Sequence, residues 1–163
     1  TPVKAEDTKP ATDEELDGLR TTIAFYKQYR DMLLSGDVVR LDTAEQELFV
    51  HGIVAPDKKR AVYSLCSLYR SGETSYGCLQ LPGLDPEKNY QVTPAVVGTW
   101  PMVAAPGWWH MPEPDWSEGF PPKIDPKRKP TGQVFPGDFL INSGPMTPIM
   151  PPDEVVLYIV EEA

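Results

Sequence analysis

The spacing of apolar residues changes once along this chain, at Gly36, and that change constrains the fold more than any other feature. Before it, Leu16, Leu19, Ile23, Tyr26, Arg30 and Leu33 recur at steps of three and four, so the spacing predicts a helix over 13–35 with an apolar stripe. Thr12 and Glu15 stand at capping-box spacing, and Asp13, Glu14 and Glu15 load the first turn with the charge a helix dipole favours. Gly36 is expected to end the helix in a left-handed conformation. After it the period falls to two. Strands are predicted over 38–41, 48–54, 60–70, 76–81, 89–97 and 154–162, separated by turns such as Asp57-Lys58-Lys59. Short strands joined by tight turns make an antiparallel sheet rather than parallel βαβ units. The expected fold is therefore mainly β: a Greek-key-like antiparallel β-sandwich over 37–163, preceded by one N-terminal α-helix.

The helix stripe needs a covering surface. Its own domain is one candidate, and a preceding domain, of which this would be the last helix, is the other. The first twelve residues are polar, carry Pro2 and Pro10, begin with Thr rather than Met, and lack the apolar stretch of a signal peptide. They are expected to form a flexible linker that leads out of a longer polypeptide, with a processed natural N-terminus as the alternative.

Prolines mark the second anomaly. Of 19 in 163 residues, nine fall between Gly98 and Pro136, together with all four tryptophans: Trp100, Trp108, Trp109 and Trp116. A loop this long in a compact domain is functional or disordered, and four indoles offer too much apolar area for disorder. Residues 98–136 are thus expected to be an ordered excursion on the sandwich.

Composition excludes several functions. A formal net charge of −9, with 24 acids against 15 bases, repels phosphate, so nucleic acid is not an expected partner. No run of apolar residues is long enough to span a membrane as a helix. The two cysteines, Cys66 and Cys78, give neither a disulfide framework nor a metal-ligand spacing, and neither metal nor cofactor is expected. If 60–70 and 76–81 form a hairpin pairing Arg70 with Tyr76, both thiols share one sheet face; free thiols acting as small apolar groups are the expectation. His51 falls in a strand, where a hydrogen-bonded structural histidine is expected. Glu113, Asp115 and Glu118 cluster beside Trp116, but a Pro-rich loop is a poor platform for a catalytic acid pair, so no catalytic residue is assigned. The binding candidates are Trp108, Trp109 and Trp116, whose faces can stack on sugar C–H groups, with His110 beside them. Alternatively these rings pin the loop as a satellite core.

Four segments in order resemble bacterial alpha-galactosidases of glycoside hydrolase family 36. They are IAFYKQYRDMLLSGDVVRL at 23–41, AVYSLCSLYR at 61–70, LPGLDPEKNYQV at 81–92 and FPGDFLINSGPMTPIMPPDEVVLYIVE at 135–161. The first is similar to the helix that closes the catalytic barrel, and the third resembles the family's GLDP turn. The resemblance implies a C-terminal β-sandwich, a catalytic barrel as partner, further subunits of a homo-oligomer as possible contacts, and a bacterial cytoplasmic setting. It implies no catalytic residue here, because the family's aspartates lie in barrel motifs of the KWD and CSGGG kind, which this sequence lacks. The implied role is a non-catalytic accessory domain. A carbohydrate-binding module that takes a galactoside or oligosaccharide on the tryptophan loop is the alternative.

Overall fold

The structure is a computed structural model and describes residues 10–42, 48–69, 77–95, 105–113, 117, 119 and 129–163. It opens on helix α1 (Asp13–Ser35). The Thr12 hydroxyl accepts the Glu15 N–H at 3.2 Å and the Glu15 carboxylate accepts the Thr12 N–H at 2.7 Å, so the capping box forms as expected. The other end corrects the sequence reading. Gly36 has φ −80° and ψ 163°, an extended conformation, so it is not a left-handed cap. A glycine is needed there for a different reason: a Cβ would lie 2.6 Å from the Ile53 side chain and 2.7 Å from the Val54 carbonyl oxygen.

Strands β1 (Asp37–Leu41), β2 (Leu48–Val54), β3 (Arg60–Ser67), β4 (Asn89–Ala95), β5 (Gln133–Pro136) and β6 (Glu154–Glu162) form one antiparallel sheet of order β1-β2-β3-β6-β4-β5. The last strand inserts between β3 and β4, so the path is that of a Greek-key-like β-sandwich type of domain. Pro94 sits in β4 without cost, because β5 pairs only with 89–92 and leaves the Pro94 edge without a ladder partner there.

Alternation along the strands sends two sets of side chains to opposite faces. One face carries Val50, Tyr63, Leu65, Tyr90, Val92, Val156, Tyr158 and Val160, and is covered by Leu79, Leu81, Trp109, Leu140 and Met150. The other face receives α1, whose Tyr29 and Met32 pack with Ala55 and Val62, flanked by Phe25, Leu33 and Ile159.

The described part of the strand predicted over 76–81, residues 77–81, does not form a strand. Among the described residues there is only an isolated bridge of Cys78 to Met146, because β2 and β6 already occupy both edges of β3. Cys66 instead lies opposite Phe49 and Val155, so the hairpin that would have placed both thiols on one face does not exist; both are free, and Arg70 and Tyr76 lie outside the described residues. Two elements were not expected: β5, inside the excursion, and the short helix α2 (Gly137–Asn142).

Candidate functional site

The tryptophan loop enters the described structure as a single 3-10 turn, Gly107–Trp109, started by Pro106 and closed by His110. Proline suits the start of such a turn, since its fixed φ is already helical and its missing N–H would be unpaired there. His110 takes a left-handed conformation, φ 48° and ψ 59°.

The two indoles separate in role. Trp109 is 0% exposed. Its ring meets Trp108 and Tyr158 edge-on, each at a centroid distance of 6.2 Å. Trp108 is half-buried, contacts Phe135 and Tyr158 edge-on, and donates its indole N–H to the Met146 carbonyl at 2.8 Å. Both rings pack with the main core rather than with a separate cluster under the loop. Burial pushes the Tyr158 hydroxyl well above its ordinary pKa, and the nearby Trp109 indole N–H opposes that rise. The two polar atoms fall outside hydrogen-bond geometry and are buried without another partner among the described residues. Trp100 and Trp116 lie outside the described residues, as do Asp115 and Glu118.

His110 and Glu113 lie on one surface. With Pro112, Lys129 and Thr131 they line an open cleft of about 380 Å³. Its lips are held by the core: the Gly132 N–H donates to the Trp109 carbonyl at 3.1 Å, and the Gln91 side-chain amide donates to the Thr131 carbonyl at 2.8 Å. Gly132 has φ +69°, and a Cβ there would overlap the Val92 carbonyl oxygen, so this approach is open to glycine alone. Lys129 and Thr131 could not be read as site residues from sequence, because they are distant from His110 in the chain and only β5 brings them back.

His51 departs from expectation. It stacks obliquely on Phe49 at 5.4 Å, and its buried Nδ1 has no hydrogen-bond partner among the described residues. It stands on the sheet face that α1 covers only in part.

That partial cover leaves two apolar surfaces. The stripe read from sequence faces away from the sheet: Leu16 is 37% exposed, Leu19 55%, Ile23 44% and Tyr26 48%, and only Leu33 turns inward. Beyond α1, Phe49, Leu68 and Val155 stay exposed at the sheet. Among the described residues no group of three His, Cys, Asp or Glu could hold a metal.

Fold and surface together define a class: an antiparallel β-sandwich-type domain that presents a helix with two apolar faces. Residues 49–148 match the C-terminal domain of glycosyl hydrolase family 36, and the chain belongs to that family. The alpha-galactosidase of Escherichia coli is 26% identical over 165 residues, covering 96% of this chain and 20% of that protein. The chain therefore spans about a fifth of that relative. Among solved structures, the alpha-galactosidase from Lactobacillus brevis aligns over 94% of this chain and 17% of its own, with TM-score 0.65 and 21% identity. The alpha-galactosidase AgaA from Geobacillus stearothermophilus aligns over 94% of this chain and 16% of its own, with TM-score 0.64 and 19% identity. At such identities these two likenesses bear on the fold.

Proposed function

We propose that this domain is the non-catalytic C-terminal accessory part of an alpha-galactosidase-like glycosidase, whose reaction is hydrolysis of terminal alpha-galactosyl residues, and that it packs on the catalytic barrel through the outer face of α1. One observation carries the reading. The inner face of α1 is already filled by its own sheet, while Leu16, Leu19, Ile23 and Tyr26 are about half exposed. Completing the burial of four such side chains is worth about 3–6 kcal/mol, at roughly 1.5–3 kcal/mol per fully buried side chain. The helix thus binds two bodies at once. Phe49, Leu68 and Val155 extend the apolar surface beside it, and contacts with further subunits belong to the same proposal. The family match and the fraction of the relatives' length that this chain spans support the reading.

The 163-residue chain alone should leave an aryl alpha-galactoside intact. Turnover that disappears when one of its own carboxylates is replaced, as in Glu113→Gln, overturns the proposal.

A further inference from the structure

We propose that the cleft between 110–113 and 129–131 is a saccharide-binding site for a neutral sugar held by hydrogen bonds to its hydroxyls. This inference stands apart from the docking role of α1.

The cleft is preformed. Trp109, directly before His110, is anchored in the core, and its carbonyl is tied to Gly132. Pro130 is buried, the Thr131 carbonyl is held by Gln91, and Gln133 begins β5 opposite Val92. Both lips are therefore tied to the core and the sheet. A site that does not reorganise keeps the ordering cost of binding low.

Its chemistry is mixed and unspent. An imidazole, a carboxylate, an ammonium and a hydroxyl line one space, and none of the four side chains has a hydrogen-bond partner among the described residues. Glu113 and Lys129 form no ion pair with each other, although they carry opposite charges. Among the described residues that line the cleft, one positive and one negative group balance, which favours neither an anion nor a cation as ligand. Vicinal hydroxyls suit this set: a carboxylate accepts from two adjacent O–H groups, while an ammonium and an imidazole N–H supply donors. Pro112 adds an apolar edge for a ring C–H face. A volume of about 380 Å³ falls in the usual range of roughly 300–1,000 Å³ for small-molecule sites.

The test is an NMR titration of the isotope-labelled 163-residue chain with galactose and with raffinose, using glycerol as a polyol that lacks a ring. The expected result is saturable shifts at His110, Glu113 and Thr131 with a Kd in the millimolar range, absent with glycerol. Glu113→Gln and Lys129→Ala should each weaken binding roughly tenfold, the scale of one charge-assisted hydrogen bond. Both side chains are exposed, so the variants should keep the parent melting temperature. The proposal is overturned by shifts that glycerol reproduces, by no saturable shift up to ~100 mM sugar, well beyond the millimolar range, or by variants that bind like the parent.

Discussion

Replacing Trp109 by alanine separates a core residue from a sugar platform. The indole is fully enclosed and sits edge-on to both Trp108 and Tyr158. Truncating a buried Trp costs about 3–5 kcal/mol, from lost transfer free energy and the cavity left behind. At roughly 2–4 °C per kcal/mol for a chain of this size, the melting temperature should fall by about 6–20 °C. Trp109→Phe keeps one ring and removes the unpartnered indole N–H, so its cost should be clearly smaller. Urea unfolding followed by far-UV circular dichroism reads both values, with an unchanged slope confirming that the unfolded reference is the same. A loss below about 1 kcal/mol for Trp109→Ala, the scale of a surface substitution, would refute the placement of this ring in the core.

Gly132→Ala should destabilise the domain by about 1–3 kcal/mol, because alanine resists a positive φ and its Cβ would collide with the Val92 carbonyl; the same denaturation curve measures it, and a neutral result contradicts the described approach of β4. Alkaline titration tests the buried hydroxyls. Burial raises the pKa of Tyr63 and Tyr158 above the ordinary 10.0, so the stability they contribute is complete below about pH 10 and is lost as pH rises beyond it. Tyrosinate absorbance should therefore show these two ionising only together with unfolding; titration in the folded chain would contradict their burial. Cys78 is exposed and Cys66 is half-buried, so a thiol reagent should label Cys78 first and Cys66 more slowly, whereas a native chain with no reactive thiol would point to a bond between them.

The parts of the fold legible in the sequence are those whose pattern is local. The capping box of Thr12 and Glu15, the alternation of β2, and β6 each carry a signal within a few residues, and each forms where the pattern put it. What failed depended on partners. The helix holds two apolar stripes, one through Phe25, Tyr29 and Met32 and one through Leu16, Leu19, Ile23 and Tyr26, about a third of a turn apart. Periodicity identifies the larger stripe but not which of the two meets the sheet. Residues 76–81 alternate like a strand, yet β3 has no free edge for them. Conversely, β5 has too few residues to show a period, and it forms because β4 offers an edge between Asn89 and Val92. The cleft was half legible: the loop drew notice to His110, while Lys129 and Thr131 became neighbours only through that pairing.

The most direct test of the docking role is hydroxyl-radical footprinting of α1, in the 163-residue chain alone and in the same domain joined to the catalytic domain of a family alpha-galactosidase. In the chain alone, Leu19, Ile23 and Tyr26 should be oxidised readily while Tyr29 and Met32 are protected. In the joined protein the three outer residues should become as protected as the inner pair. Outer residues that stay equally reactive in both proteins would contradict the account.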